Sequence, residues 1–284
     1  MLRVGIISYY PDDEKLRSTR KKMAEKSIQF LKDILPEEVK ITVVSQNYGE
    51  DDFVEGVQYI KYDDGIGQSK AKNHLLRDFY NSDDDFMLYC DDDQSLYDRY
   101  GVRTLLNDLH CNPQYLKDID CMGGIDGRIT PYSRDNEELN VDKNYVFQAR
   151  HIETEFKILR NVKKYYGEEF YYCEGEYKDL MEDLHFLFTK LSKVRTYLCR
   201  NLILRNQGWG DDKSVVVVGS SDKQLDVYNK KREQLWLEVG IIKKPGDRPD
   251  YSLLKPRLRF ISINIDTKEV SYSKPIKSTT KKLF

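Results

Sequence analysis

The sequence predicts an α/β protein in which a mainly parallel sheet is flanked by helices and followed by a C-terminal extension. Two observations carry this reading. Short apolar runs alternate with helical stretches through the first 125 residues, and acidic and basic residues are divided unequally along the chain. Val4 to Ser8 is the first strand. Lys15 to Leu35 follows as a helix, with Leu16, Met23, Ile28, Leu31 and Leu35 near a 3.6-residue period, and Pro36 stops it. Lys40 to Ser45 and Val57 to Tyr62 are the second and third strands. Ser69 to Tyr80 is a helix that Ser69 can cap, and Phe86 to Cys90 is a fourth strand running into Asp91-Asp92-Asp93. Leu180 to Leu191 and Leu225 to Val239 read as helices, Val215 to Gly219 as a strand or buried run, and 245–284 as an extended terminal segment.

A chain of 284 residues accommodates one large domain, or one domain and an appendage. The division expected here is 1–212 as the catalytic, nucleotide-binding portion and 213–284 as a basic extension. The whole carries 46 Lys+Arg against 48 Asp+Glu, yet residues 213–284 hold 16 against 8 and residues 1–212 hold 30 against 40. Two surfaces of opposite sign follow, the basic one either a solvated face or a seat for a polyanion. No apolar run nears the roughly 18 residues of a membrane span, so no membrane partner is expected. The start MLRVGIISYY reads as a buried strand rather than a signal peptide. The five widely spaced cysteines contain no CxxC pair, which fits a reduced, cytoplasmic protein without structural zinc.

Ligands of parallel sheets bind beyond the carboxyl ends of the strands. The polar groups there are Tyr9 and Tyr10, Gln46 and Asn47, Asp63 to Gly67, and Asp91 to Asp93. Alternation along an extended chain puts Asp91 and Asp93 on one side. Two converging carboxylates suit a hard divalent cation, Mn2+ or Mg2+; the other reading is a solvated acidic turn like Asp83-Asp84-Asp85. Upstream, Gly65 and Gly67 with Lys70 and Lys72 enter a helix, where backbone N–H groups and ammoniums can face a phosphate. Neither a P-loop nor a dinucleotide fingerprint is present. Glu182-Asp183 is, on its own, an acidic pair favoured at a helix N-terminus.

Taken in order, the first strand, GIGQSKAKNHLL, DFMLYCDDDQSL, CMGGIDG and MEDLHFLFTKL resemble the GT-A glycosyltransferases, family 2-like enzymes that use nucleotide-diphospho-sugars. The resemblance covers about residues 1–200 and implies a GT-A, Rossmann-like catalytic domain. It matches Asp91 and Asp93 to the DXD carboxylates that contact the donor and its metal, with Asp92 between them on the donor side. It matches Gly67, Lys70 and Asn73 to the donor-side turn, and Glu182-Asp183 to the acidic pair that supplies the catalytic base. Tyr9, Gly65 and Lys72 fall beside these donor positions. The chain departs from many relatives at the second strand, which ends in VVSQNYGEDD without an Asp to recognise uracil, and His185 lies inside the catalytic helix. Trp209, between glycines, is a candidate lid, and Asp211 and Asp212 rival Glu182-Asp183 as the base.

In size and style the chain is also similar to the DNA glycosyltransferases of T-even-type bacteriophages, which add a sugar to hydroxymethylcytosine or to a sugar already on it. That implies a metal-dependent hexosyl- or pentosyltransferase moving a sugar from a UDP-sugar to phage DNA in the host cytoplasm. Lys230, Lys231, Arg232, Lys243, Lys244, Arg257, Arg259, Lys281 and Lys282 are then the candidate DNA contacts. The alternatives are a glycosyltransferase acting on a cell-surface glycan, a sugar nucleotidyltransferase, and a DNA-binding protein without activity.

Overall fold

The computed structural model describes residues 1–126, 142–148, 156–178, 181–206, 222–250, 253 and 260–272. The expectations placed on Trp209, Asp211, Asp212, the Val215 to Gly219 run, Arg257, Arg259, Lys281 and Lys282 lie outside these residues.

The parallel part of the sheet forms as the apolar runs require. β1 (Leu2–Tyr9) lies between β2 (Lys40–Gln46) and β4 (Phe86–Asp91), and β3 (Gln58–Tyr62) flanks β2, all in parallel. Residues Leu2 to Ser8 are buried throughout, as expected of a strand covered on both faces. Helix α1 (Glu14–Ile34) covers one face, where Ile28, Leu31 and Ile34 join Val4, Ile6, Phe86, Leu88 and Cys90. Helix α2 (Gln68–Tyr80) covers the other, where Ala71, Leu75 and Phe79 join Ile7, Met87 and Tyr89.

Helix α2 begins differently from the expectation. Its N-cap is Gly67, at φ +82, with no side-chain cap bond, and Ser69 is buried within the first turn. A left-handed φ costs glycine little, so the backbone can turn sharply there without a capping hydroxyl.

The second half of the sheet mixes directions, and most of it is not evident in the sequence. After β5 (Gln94–Leu96) and α3 (Tyr100–Cys111) come β6 (Cys121–Asp126), β7 (Asn144–Gln148), β8 (Phe156–Arg160) and α4 (Val162–Tyr166). Then follow α5 (Glu182–Thr189), β9 (Thr196–Asn206), α6 (Asp222–Glu238), β10 (Phe260–Asn264) and β11 (Val270–Tyr272). Among the described residues these strands make one sheet in the order β11-β10-β7-β9-β6-β8-β4-β1-β2-β3, with β5 pairing to β9. β8 is antiparallel to both β4 and β6, whereas β6 and β9 run parallel. β10 pairs with β7, so residues 260–272 of the expected extension continue the same sheet. No helix among the described residues is long and apolar enough to cross a membrane. The five cysteines are free thiols.

Candidate active site

Charged side chains gather where β1, β2 and β4 end, and β4 sorts them onto two faces. Phe86, Leu88 and Cys90 point to the α1 side, and Met87 and Tyr89 to the α2 side. Asp91, the last strand residue, follows Tyr89 by two, and the Tyr89 hydroxyl donates to its Oδ1 at 2.7 Å. The strand stops there and a turn takes Asp92 and Asp93. The alternation expected to pair Asp91 with Asp93 therefore does not run through the tripeptide: Asp93 shares Arg20 with Asp92 instead.

On the α1 side, Asp92 is 1% exposed. It accepts hydrogen bonds from the Arg20 guanidinium and the Ser8 hydroxyl. Ser8 in turn accepts from the Tyr48 hydroxyl at 2.7 Å, and the Tyr48 ring stacks on Tyr10 at 3.9 Å. The Arg20 Nη1 donates to Asp93 Oδ2 at 3.2 Å. Burial pushes the Asp92 carboxyl up to about 7, Arg20 opposing and Asp93 reinforcing the shift. Burial likewise pushes Asp91 up to about 6, with Lys72 opposing and the Asp93 charge reinforcing. The three acids thus stand close enough to repel one another; Asp91 is held by Tyr89, and Asp92 and Asp93 share Arg20.

On the α2 side lies a buried ion cluster. The Lys72 ammonium is 2.9 Å from Glu182 Oε1 and 2.7 Å from Asp183 Oδ2, and the Lys157 ammonium of β8 is 3.2 Å from Asp183 Oδ1. Lys72 and Lys157 are 1% and 0% exposed, Glu182 is buried, and the Asp183 side chain keeps 24% exposure. The rings of Tyr89 and Tyr172 take the ammoniums between them: Lys157 lies 4.7 and 5.4 Å from their centroids, and Lys72 5.9 and 5.1 Å. Burial alone would raise the Asp183 carboxyl, but the two ammoniums outweigh it and bring it down to about 2. Burial also works against the charge on Lys72, yet Asp183, Glu182 and Asp91 hold its pKa above the ordinary lysine value. For Lys157, burial and the like charge of Lys72 prevail and the pKa falls. The buried Tyr172 hydroxyl has no hydrogen-bond partner among the described residues.

Of the two polar side chains at the end of β2 that the sequence placed at a ligand, Gln46 holds the glycine turn and Asn47 holds the segment after β1. Gln46 Oε1 accepts from the Ile66 amide at 2.8 Å, and Asn47 Nδ2 donates to the Tyr10 carbonyl at 2.7 Å and to Asp12 at 2.9 Å. A Cβ at Gly65 would stand 3.2 Å from the Tyr9 ring, so this glycine permits the turn to close on Tyr9. Lys70 is exposed, while the buried Ser69 hydroxyl has no partner among the described residues. Lys72 and Asn73 point inward: Asn73 Nδ2 donates to the Tyr172 carbonyl at 3.0 Å and to Glu174 at 2.7 Å, and its Oδ1 accepts from the Tyr172 amide at 2.7 Å.

The structure thus brings Tyr9, Gly65, Gly67 and Lys70 together at the turn, and Lys72, Asp91, Glu182 and Asp183 together beneath it. It places Asp92 against α1. Among the described residues no group of three or more His, Cys, Asp and Glu could hold a metal ion. Asp91 and Asp93 are hard oxygen donors that fit a magnesium- or manganese-like cation only if phosphate oxygens and water supply its remaining ligands.

Arg20, Lys157, Tyr89, Tyr172, Ser8 and Tyr48 belong to the site and were not anticipated. Arg20 sits on the charged face of α1 among Arg17, Lys21 and Lys22, and only the topology distinguishes it. Lys157 did carry a signal: it interrupts an otherwise apolar run, Phe156-Lys157-Ile158-Leu159, in which every residue is buried.

No protein-family model matches the sequence, and no curated protein sequence matches it. Among solved structures, the chain is similar to Staphylococcus aureus TarS (residues 1–349) in complex with UDP-GlcNAc, with TM-score 0.49 and 13% identity, covering 83% of this chain and 66% of that one. The chain thus spans just under two thirds of that structure. It is also similar to the galactosyltransferase LgtC in complex with donor and acceptor sugar analogues, with TM-score 0.36 and 12% identity, over 81% of this chain and 96% of that one. A third similarity is to a glycosyltransferase involved in glycosylation of the major capsid of PBCV-1, with TM-score 0.35 and 6% identity, over 81% of this chain and 98% of that one. At these scores the likenesses assign no family and no activity to the chain.

Proposed function

We propose that the protein is a GT-A-type glycosyltransferase that moves a sugar from a nucleotide-diphospho-sugar, a UDP-sugar, to a hydroxyl acceptor. The observation that carries this reading is the meeting of Asp91, at the carboxyl end of β4, with the Glu182-Asp183 pair at the start of α5, through Lys72. Residues more than 90 positions apart supply a donor-side acid and a candidate base within one ion cluster.

The N-terminus of α2 supplies the phosphate seat. Gly67 leaves its first amides without a side-chain cap, the Ser69 hydroxyl has no partner among the described residues, and Lys70 adds an exposed ammonium. Asp91 and Asp93 would hold a Mn2+ or Mg2+ ion, which when bound offsets charge on the diphosphate. Asp183 would take the proton of the acceptor hydroxyl at Oδ1. The acceptor oxygen, having given its proton to Asp183, would then bond to the anomeric carbon as the bond from carbon to diphosphate oxygen breaks, the electron pair of that bond leaving with the nucleotide. Glu182, bound to Lys72, would hold the pair in place.

The acceptor in this reading is DNA, as hydroxymethylcytosine or its glycosylated form. Lys230, Lys243 and Lys244 are exposed and free to meet phosphates. Lys231 and Arg232 are less available, since Lys231 donates to the Glu176 carbonyl and Arg232 lies over the Trp236 ring at 4.9 Å. Incubation with labelled UDP-sugar, Mn2+ and duplex DNA containing either cytosine or hydroxymethylcytosine tests the acceptor. Label in the hydroxymethylcytosine duplex alone is expected; transfer to a glycan with none to either DNA would overturn it.

A further inference from the structure

A lysine with no exposed surface in the middle of a buried strand is costly unless it has work to do, because removing an ammonium from water is among the largest penalties a fold can bear. Lys157 is such a residue. Lys157 itself pairs in register with Tyr89 on β4 and Gly123 on β6, so the side chain rises from the centre of the sheet toward α5.

Lys72 already reaches both acids of α5. With Lys72 alone the two acids of α5 would keep one excess negative charge; Lys157 balances Glu182 and Asp183 and occupies the second oxygen of Asp183. At 3.2 Å, the Lys157 contact is longer than the 2.7 Å contact of Lys72 to the same carboxylate. The faces of Tyr89 and Tyr172 give its ammonium an adjacent place to rest when an acceptor hydroxyl takes its position at Oδ1.

We propose that Lys157 is the positioning residue of Asp183: it fixes the carboxylate between two cations and sets the affinity with which Asp183 takes a proton. The inference rests on the reading of Asp183 as the base for its use in catalysis, but not for its electrostatics. The groups that face Asp183 are Lys72 on α2, Lys157 on β8, Glu182 on α5, Tyr89 and Asp91 on β4, and Tyr172 in the segment before α5, while Cys121 on β6 faces Lys157 and Tyr172. Lys72 and Lys157 are the cations among these; removing Lys157 leaves Asp183 with one.

The test is the carboxyl titration of Asp183, followed by NMR on 13C-aspartate-labelled full-length protein and assigned with Asp183→Asn. Lys157→Met should raise the midpoint by about one pH unit or more, the effect of a close opposite charge, and Lys157→Arg should restore it. In parallel, the pH profile of UDP-sugar hydrolysis should show its acid limb moving upward with the midpoint, at unchanged KM for the donor. An unmoved midpoint in folded Lys157→Met overturns the proposal. A moved midpoint with an unmoved acid limb also overturns it, leaving Lys157 a structural ion-pair partner. If no UDP-sugar turns over in the wild-type protein, the glycosyl-transfer reading falls while the titration still decides the role of Lys157. If Lys157→Met does not fold, Lys157→Gln serves in its place. The wild-type protein is decisive as well, since an Asp183 titrating at or above the ordinary carboxylate value of about 4 would overturn the proposal.

Discussion

The Lys72 ammonium lies 2.7 Å from the Asp183 carboxylate, joining α2 to the first turn of α5 across 111 positions of sequence. The contact is internal, and Lys72 is 1% exposed. Replacing Lys72 by Met leaves Glu182 and Asp183 with Lys157 as the remaining cation of the cluster. Breaking a buried pair on one side costs about 3–5 kcal/mol. Urea unfolding of Lys72→Met is expected to show a loss of that size, and a loss below about 1 kcal/mol would mean the cluster is open to water.

Arg20 neutralises the acidic turn from the other side of β4, bonding both Asp92 and Asp93. Arg20→Gln is expected to lower the melting temperature, because Asp92 is buried and repelled by its neighbours. Added Mn2+ should raise the melting temperature of this variant more than that of the wild-type protein, since a cation then meets less competition for Asp93. Equal shifts in the two proteins would place the metal elsewhere.

Asp120 reports on acid stability away from the site. Its carboxylate takes the Arg195 Nε at 2.9 Å, the Arg195 amide at 3.0 Å and the Tyr166 hydroxyl at 2.8 Å. Burial opposes its ionisation, but these hydrogen bonds prevail and hold its pKa below the ordinary value. A carboxyl depressed in the folded state contributes stability above its unfolded pKa of about 4, and that stability is lost as the pH falls through the folded value. Asp120→Asn should therefore be less stable than wild type at pH 7, with the difference shrinking below about pH 4. Urea unfolding across pH 3–7 reads this directly, and a difference independent of pH would contradict it.

Gly124 of β6 sits where the pairing with β9 shifts register. A Cβ there would stand 2.8 Å from the Leu202 carbonyl oxygen and 2.9 Å from the Leu204 side chain. The strand backbone cannot give way as a side chain can, so Gly124→Ala is expected to cost about 1–3 kcal/mol of overpacking. Unchanged thermal stability would show that β6 and β9 separate there without penalty.

The first four strands and two helices were legible because each apolar run was bounded by turn residues or a helical period. Their ends fall within a residue or two of those expected. Strands β7 to β11 were not, because NYVFQ and FKILR are five-residue segments whose burial comes from neighbours distant in sequence, and β9 carries Arg200 and Asn201 in its middle. At the site, the acids of Asp91–Asp93 and Glu182-Asp183 were visible as a pattern. Their cations were not: Arg20 looks like any solvated helix residue, and the inward turn of Lys72 is decided by its position on the buried face of α2 beside Ala71 and Leu75. The alternation drawn through Asp91 to Asp93 failed for a local reason, since the strand ends at Asp91.

Donor binding is the step on which glycosyl transfer by this protein depends. Isothermal titration of the protein with a panel of nucleotide-diphospho-sugars, with and without Mn2+, is the direct measurement. Binding of a UDP-sugar that strengthens with Mn2+ in the wild-type protein and is lost in folded Asp93→Ala is the expected result. No binding of any nucleotide sugar under either condition would contradict the account.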